Sequence, residues 1–320
     1  MDTLMMFLYA VAVLGALLGA VTYAILFERK VIGYMQIRNG PNRHGPWGLF
    51  QTIADVTKLL MKEDIIPTAA DKKIFVLAPV IAFAPAFTVF AVISWSDTIY
   101  AADLNIGVLY FLGVSSMTML GVLMGGWSSN NKYSLLGAIR GVAQMISYEL
   151  PLVLSVLGIV ILVGSLNLRD IVYFQAEIGL WFIIPQFLAF VIYIISAIAE
   201  LNRSPFDLPE AESELVSGYH TEYTGFRYAF FMLAEYTYAI AISAFATTLF
   251  LGGWLGPAFL PGVAWFLLKM CLFMFLWFWL RATLPRARVD HLMQFGWKVL
   301  IPLALLNIVI TAIIKVWMGW

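Results

Sequence analysis

The sequence predicts an all-α, polytopic membrane protein with about eight transmembrane helices and one further amphipathic helix at the membrane interface. Hydrophobic residues make up 62% of the 320 positions and charged residues only 12%, whereas soluble domains contain about 25% charged residues. Apolar runs of about 20 residues, the length that crosses a bilayer as a helix, recur along the chain. Acidic and basic residues are equal in number, so the composition does not predict a nucleic-acid partner.

Eight apolar runs are long enough to form spanning helices. They are Leu4–Phe27, Ile74–Ser94, Ile106–Trp127, Gly141–Gly164, Gly179–Ala199, Tyr228–Leu251, Val263–Leu280 and Val299–Trp317. The chain shows no low-complexity tract and no repeat of fixed period, so the sequence predicts a single membrane domain, residues 1–320.

Basic residues are distributed unevenly along the chain. Sixteen of the 19 lysines and arginines fall in four connections, those after the first, third, fifth and seventh spans, at about 28–73, 128–140, 200–227 and 281–298. Because basic connections stay on the cytoplasmic side, both termini are expected on the outer side, periplasmic or intermembrane. The expected location is the bacterial inner (plasma) membrane, or the mitochondrial inner membrane if the gene is organellar.

Cysteine and histidine usage excludes several kinds of site. Cys271 is the single cysteine and lies in an apolar run, so a disulfide framework and a cysteine-ligated cluster are excluded within this chain. His44, His220 and His291 are too far apart in sequence for a metal-ligand spacing or a haem pair. No metal is expected on this chain.

The first long connection contains an amphipathic helix. Its apolar face is formed at helical spacing by Leu49, Ile53, Val56 and Leu60, and its polar face by Gln51, Asp55, Lys58 and Lys62. Such a helix lies in the membrane interface or packs on a partner protein. The alternative is a surface helix with solvated charges. Arg29, Arg38 and Arg43 follow the first span closely, and polar groups beside apolar walls suit an amphipathic ligand that arrives from lipid.

The third cytoplasmic connection is strongly acidic. Its carboxylates are Glu200, Asp207, Glu210, Glu212, Glu214 and Glu222, against two basic residues, Arg203 and Arg227. Acidic residues in a first helical turn complement the helix dipole, which explains Glu210 and Glu212 after Pro209. The helix dipole does not explain the remaining excess of acid, so a functional role is predicted for this connection.

Ionisable groups inside the predicted spans give the sharpest functional signal. Glu149, Glu235 and Lys269 lie within apolar runs, where a charge costs about 2.5–3.5 kcal/mol and usually faces an interior or a wet cavity. Pro151 is expected to disrupt the helix beside Glu149 and to free a carbonyl. We favour a proton relay through buried carboxylates; the alternative is an internal Glu–Lys structural pair. Hydroxyls that can extend such a relay belong to Tyr148, Tyr223, Tyr236 and Tyr238.

Four segments carry a resemblance to a known family. They are ERKVIGYMQIRNGPN, GWSSNNKYSLLGAIRGVAQMISYE, NRSPFDLPEAESELVSGYHTEY with its following AEY, and LPRARVDHLMQFGWK. In order and in helix count, the chain resembles the quinone-site membrane subunit of the proton-pumping NADH:quinone oxidoreductase, respiratory complex I. His291 is one departure, since the family pattern has glutamine at this position, and it leaves open what the position contacts.

The resemblance implies a translocase subunit of inner-membrane electron transport that is part of an enzyme but binds no redox cofactor itself. NAD, FMN and iron–sulfur clusters would belong to partner subunits, and a quinone such as ubiquinone would be the substrate. The implied partners are the peripheral-arm subunits that carry the terminal iron–sulfur cluster and the quinone site, other membrane-arm subunits, quinone and lipid.

The motif matches imply two groups of site residues. The quinone-binding group is Glu28, Arg29, Arg38, Asp55, Arg203, Arg281, Arg286, Arg288 and Asp290. The group that forms the proton or coupling path is Glu149, Glu200, Asp207, Glu210, Glu212, Glu214, Glu222 and Glu235.

Two other functions would use similar carboxylates. The related membrane-anchor subunit of a membrane-bound hydrogenase would keep them and need no quinone, but the match over four segments argues against it. A stand-alone proton-coupled transporter often shows internal repeats and broken helices in corresponding halves, and the sequence shows no such symmetry.

Overall fold

The computed structural model describes residues 3–210, 212–257 and 259–318, and within these ranges it is helical, with no β-strand. The α-helices are α1 (Thr3–Met35), α2 (Gln51–Met61), α3 (Lys72–Thr88), α4 (Gly107–Ser115), α5 (Thr118–Ser128), α6 (Lys132–Val163), α7 (Leu168–Ile178), α8 (Phe187–Glu200), α9 (Glu212–Leu215), α10 (Gly225–Phe250), α11 (Gly262–Thr283), α12 (Val289–Phe295) and α13 (Ile301–Met318). A π-helical turn, Gly296–Leu300, joins α12 to α13. The prediction of an all-α membrane protein is confirmed.

Among the described residues, seven helical segments are long and apolar enough to cross a membrane. They are Ala10–Met35, Lys72–Ala91, Gly107–Ser128, Lys132–Val163, Gly225–Phe250, Gly262–Thr283 and Val289–Trp317. These segments coincide with seven of the eight predicted spans, so the sequence and the structure both indicate a multi-pass membrane protein.

The predicted fifth span, residues 179–199, is shorter than expected. Its helix, α8, has only 14 residues, and the chain before it forms turns. Gly179 ends α7 with a positive φ of 70°, and Pro185 has no amide hydrogen to donate to a helix. The apolar run is therefore divided, and the helix begins only at Phe187.

Asparagine and glycine residues define the ends of helices α6 and α7. The side chain of Asn131 accepts a hydrogen bond from the Tyr133 amide at the start of α6, and Asn167 accepts one from the Arg169 amide at the start of α7. Gly164 ends α6 in the left-handed conformation, with φ of 79°. These are favourable capping residues, because they satisfy backbone groups that the helix itself leaves unpaired.

Helix α10 is the centre of the bundle. Its apolar stretch is 72% buried, against 17% for α1, so α10 faces protein on most sides while α1 lies at the periphery. It packs against α3 on one side and against α1 and α11 on the other. Trp277 of α11 donates a 2.7 Å hydrogen bond to Ser243 of α10. A second group of packed helices, α5, α8 and α13, surrounds α6.

Two helices differ from the sequence expectation close to Glu149. Helix α6 continues without a break through Pro151, so the predicted disruption is wrong. Pro151 is buried, and packed neighbours make a proline tolerable inside a membrane helix. The predicted third span is instead interrupted between Ser115 and Thr118. The hydroxyls of both residues donate to backbone carbonyls three positions earlier, and such bonds compete with regular helical pairing.

The predicted amphipathic helix of the first connection is confirmed as α2. Its residue Thr52 is buried, whereas the predicted apolar face, including Ile53 and Leu60, is exposed on the molecule. Helix α1 continues to Met35, beyond the predicted end of the first span. Glu28 is therefore on a helix rather than in a flexible loop, and its position is fixed by the packing of α1.

The acidic loop, residues 201–224 between α8 and α10, is folded against α6. Gly218 has a positive φ of 59°, and a Cβ atom there would lie 1.6 Å from the carbonyl oxygen of Pro209. Gln144 of α6 donates through its side-chain amide to the carbonyls of Ala199 and Phe206, both at 2.7 Å. These contacts bring the start of the loop, with Arg203, against the inner face of the bundle.

Candidate functional site

A buried group of charged side chains lies where α1, α10, α11 and the acidic loop meet. The guanidinium of Arg203 is 3.1 Å from Glu28 Oε1 and 2.8 Å from Glu235 Oε1. Tyr236 donates through Oη to Glu28 Oε2 at 2.6 Å, and Arg281 also pairs with Glu28. We call these five residues the Arg203 cluster.

The charges of the Arg203 cluster are balanced, with two carboxylates and two guanidinium groups. Burial works against the charge on Arg203, but Glu235 and Glu28 more than offset this effect and raise the pKa of Arg203 above its usual value. The guanidinium also lies over the ring of Tyr236, 4.6 Å from its centre. Because a guanidinium keeps its proton in proteins, the carboxylates and the Tyr236 phenol are the members of this cluster that are able to exchange one.

Two small cavities continue from the Arg203 cluster into the bundle. The first, of about 40 Å³, is lined by Glu235 at one end and by Glu200 and Tyr238 at the other. The second, of about 10 Å³, is lined by Glu200, Tyr238 and Glu149. A cavity needs about 10–15 Å³ to hold one water molecule, so the first has room for water and the second is close to the minimum.

The cavities connect the membrane glutamates in the order Glu235, Glu200, Glu149. Glu235 lines the first cavity, and Glu149, which is half-buried, lines the second. Tyr238 donates to Glu200 at 2.5 Å, and Ser116 lines the second cavity together with Glu149. A row of carboxylates joined by hydroxyls and small cavities is suited to proton transfer.

The predicted quinone-binding residues divide into a buried and an exposed set. Glu28, Arg203 and Arg281 are in the Arg203 cluster, so Glu28 and Arg203 are less accessible than their motif positions suggest. Arg288 and Asp290 pair with each other at 3.4 Å on the exposed surface.

Three further arginines of the predicted quinone-binding group lie outside the Arg203 cluster. Arg29 pairs with Asp55 of α2 at 2.5 Å and so connects α1 to the amphipathic helix. Arg286, in the last connection, pairs with Asp207 of the acidic loop at 3.0 Å. Arg38 is exposed and donates to the neighbouring Gln36 side chain at 2.7 Å.

The remaining carboxylates of the acidic loop lie outside the row of cavities. Glu214 is exposed and pairs with Arg140 of α6 at 2.8 Å. Glu222 accepts a 2.7 Å hydrogen bond from Asn131, and Glu210 is half-buried. The side chain of Glu212 lies outside the described residues.

Several side chains that hold this site together carry little signal in the sequence. Ser115 and Ser116 lie beside Glu149 and Glu200, and their only sequence signal is a Ser-Ser-Met-Thr group inside an apolar run. Sequence reasoning also misses Gln144, since a lone glutamine carries no motif.

His220 is a further residue that the sequence does not single out, and burial determines its protonation state. It is buried between the rings of Tyr219 and Tyr228. Burial lowers the pKa of His220 to about 4, so the imidazole is neutral at neutral pH and adds no positive charge to the acidic loop. Within the described residues, no three His, Cys, Asp or Glu side chains converge as a metal-ligand group.

Among the side chains that the structure describes, Lys269 pairs with no glutamate, so the alternative of an internal Glu–Lys pair is wrong. Its ammonium donates to three backbone carbonyls just beyond the end of α10: Leu251 at 2.6 Å, Gly253 at 2.9 Å and Leu255 at 2.6 Å. Trp181 covers it, with the ammonium 5.1 Å from the ring centre. A cation here also complements the negative end of the helix dipole.

Replacing Lys269 by methionine is expected to destabilise the protein by about 2–3 kcal/mol, because buried carbonyls lose their donor. The measurement is the midpoint temperature of heat inactivation of the purified assembly. Lys315→Met is the matched control, because Lys315 donates to one carbonyl only, that of Ile161. Equal midpoints for the two variants would contradict a helix-anchoring role for Lys269.

Fold and site together define a class: a polytopic membrane protein with a row of carboxylates that extends from a buried ion cluster into the bundle. A family model described as NADH dehydrogenase matches residues 8–312. The chain is 60% identical over 316 residues to the H subunit of the NADH-quinone oxidoreductase of Brevibacillus brevis, with 98% of this chain and 94% of that one covered.

Two further relatives with the same description are similar at comparable length. The chain is 61% identical over 310 residues to the protein of Bacillus cytotoxicus, covering 96% of this chain and 92% of that one. It is 59% identical over 308 residues to the protein of Geobacillus kaustophilus, covering 95% and 92%. The chain belongs to the NADH dehydrogenase family, and the resemblance carried by its four sequence segments is confirmed.

Proposed function

We propose that this chain is the membrane subunit of an NADH-quinone oxidoreductase that couples quinone reduction to proton translocation. Identity of about 60% to the H subunits of such enzymes, over nearly the full length, supports the enzyme. The observation that carries the coupling role is the Arg203 cluster, in which Glu28, beside the expected quinone-binding arginines, shares one guanidinium with Glu235, the first carboxylate of the row.

In this proposal the chain forms the membrane-side wall of the quinone chamber. The quinone-facing groups are the members of the predicted quinone-binding group outside the Arg203 cluster, namely Arg29, Arg38, Asp55, Arg286, Arg288 and Asp290, with Glu28, Arg203 and Arg281 behind them. Exposed apolar residues of α2, such as Ile53 and Leu60, suit the hydrocarbon tail of a quinone or the lipid around it. NAD, FMN and iron–sulfur clusters belong to partner subunits.

Quinone reduction consumes electrons and protons, so the charge near the headgroup changes during each turnover. The carboxylates of the Arg203 cluster respond to such a change, because in a low-dielectric site a nearby charge alters the proton affinity of an acid. We propose that the response passes from Glu235 through Glu200 to Glu149. Asp207, Glu210, Glu212, Glu214 and Glu222 form the adjoining part of the coupling path.

The proposed partners are the peripheral-arm subunits that carry the terminal iron–sulfur cluster, and other membrane-arm subunits. Their binding surface is the acidic loop with the first and last basic connections. The bias of lysine and arginine supports a cytoplasmic position for these connections and an outer position for both termini, in a bacterial inner membrane. A hydrogenase anchor or a stand-alone transporter finds no support among the relatives.

Replacing Arg29, Arg38 or Arg286 by lysine tests the quinone-binding proposal. A lysine keeps the charge but not the planar, multidentate donor geometry of a guanidinium. We expect each variant to assemble and to show a quinone KM raised about threefold to tenfold, equivalent to about 0.7–1.4 kcal/mol. Reduction of ferricyanide by NADH should be retained, because it needs only the peripheral arm.

Arg43→Lys is the matched control, since Arg43 is an exposed arginine of the same connection and is outside the proposed chamber. Quinone kinetics at the control level in all three variants would contradict the quinone-binding role.

A further inference from the structure

Tyr238 lies at the junction of the two cavities. It is 6% exposed, and it lines both the cavity that reaches Glu235 and the smaller one that reaches Glu149. Its hydroxyl donates to Glu200 Oε2 at 2.5 Å. Glu200 is itself buried at the end of α8, so the phenol fixes this carboxylate where the two cavities meet.

The other side of the phenol faces the interruption between α4 and α5. Ser115 and Ser116 lie there, and the hydroxyl of each donates to a backbone carbonyl three positions earlier. All of these residues line the cavity of about 10 Å³. Hydroxyls therefore occupy the gap between Glu200 and Glu149, with space close to that of one water molecule.

Of the other buried phenols nearby, Tyr236 donates to Glu28 in the Arg203 cluster and lines neither cavity, and two are committed to backbone groups. Tyr193 donates to the Ile242 carbonyl and Tyr148 to the Leu292 carbonyl, both at 2.9 Å. A phenol that donates to a carbonyl has no acid to exchange a proton with along that bond. Tyr238 donates to a carboxylate, so its hydrogen bond joins two groups that are able to share a proton.

We propose that Tyr238 positions Glu200 and relays protons between Glu200 and Glu149. The inference rests on the proposed coupling function and names the group that bridges its central gap. When Glu149 is protonated and Glu200 is ionised, the phenol gives its proton to Glu200. In the same event the phenol oxygen takes a proton from a water molecule in the small cavity, and that water is restored by the proton of Glu149.

The transfer is balanced, because one proton leaves Glu149, one arrives at Glu200, and the phenol is neutral before and after. The reverse transfer uses the same groups in the opposite order. A phenol suits this role because its hydroxyl donates one hydrogen bond and accepts another at the same oxygen.

Tyr238→Phe in the intact, membrane-reconstituted enzyme tests the relay, because it removes the hydroxyl and keeps the ring. We expect normal assembly, an unchanged quinone KM and a kcat lowered about tenfold, the lower part of what a positioned proton-transfer group contributes. The ratio of kcat in H₂O to kcat in D₂O should rise above the wild-type ratio, since proton transfer becomes slower. Tyr193→Phe is the matched control and should keep the wild-type kcat and ratio.

The outcomes separate the relay from the coupling function on which it rests. A wild-type kcat and isotope ratio in Tyr238→Phe, with Glu149→Gln strongly slowed, would overturn the relay and leave the coupling path intact. Wild-type rates in both variants would overturn both. If Tyr238→Phe fails to assemble, 3-fluorotyrosine at position 238 decides, because it keeps the ring and the hydroxyl but makes the phenol more acidic: a changed kcat with a changed isotope ratio supports the relay, and wild-type values overturn it.

Discussion

Replacing Arg203 by methionine is expected to abolish or nearly abolish assembly of the enzyme. The change leaves Glu28 and Glu235 as buried carboxylates without the guanidinium that separates them. Removing one partner from a buried ion pair typically costs about 3–5 kcal/mol, because the remaining charge is uncompensated. Arg281 still pairs with Glu28, so the larger penalty falls on Glu235. The measurement is the amount of assembled enzyme in membranes, determined by native electrophoresis.

Two further variants test whether charge is the reason. Arg203→Met combined with Glu235→Gln removes the carboxylate that Arg203→Met leaves unpaired, and assembly should recover in part. Arg43→Met is the control for loss of an arginine from an exposed site and should assemble normally. Full assembly of Arg203→Met alone would show that the Arg203 cluster does not hold the acidic loop against the bundle.

Glu149→Gln is expected to leave assembly intact and to depress quinone reduction and proton pumping together, by about tenfold or more. The amide keeps the shape of the side chain but cannot take up a proton, so the change isolates titration from packing. Both rates should fall because a tightly coupled enzyme cannot complete its redox step while the proton step is blocked. The measurement is quinone reduction and proton uptake in reconstituted vesicles, normalised to assembled enzyme.

The competing structural role predicts a different pattern for Glu149. No basic residue is paired with Glu149 among the described contacts, so Glu149→Gln leaves no stranded cation that would prevent folding. Glu149→Asp keeps a titratable group and should be milder. Glu177→Gln makes the same chemical change at an exposed site and should be silent. A normal turnover rate in Glu149→Gln would exclude Glu149 from the path.

The membrane class and the sharpest site residues are predictable from the sequence for simple physical reasons. Apolar length identifies spanning helices, and a carboxylate inside an apolar run is costly enough to require a special environment. Glu149 and Glu235 are therefore recognisable from the sequence alone, and the acidic loop is recognisable by its unbalanced charge. Each of these signals is contained in a short stretch of the chain.

The parts that could not be predicted depend on contacts between distant positions. Glu28 and Arg203 are 175 positions apart, and no local pattern indicates that they share an ion cluster with Glu235. A buried charge such as Lys269 suggests an opposite charge beside it, yet backbone carbonyls satisfy this ammonium instead. The third span is likewise divided where the hydroxyls of Ser115 and Thr118 bond to the backbone. Hydropathy alone does not distinguish such a divided span from a continuous helix.

The Arg203 cluster also has a consequence for how the chain is synthesised. Its charged members emerge from the ribosome in the order Glu28, Arg203, Glu235, Arg281, so negative and positive charges alternate along the direction of translation. If each newly made segment docks as it enters the bilayer, the nascent cluster never carries more than one uncompensated charge at any stage. The same four residues in an order that grouped like signs would require two unpaired charges to wait in the membrane, at a cost that grows with each. The sequence order of the cluster is thus suited to insertion from the N-terminus onward.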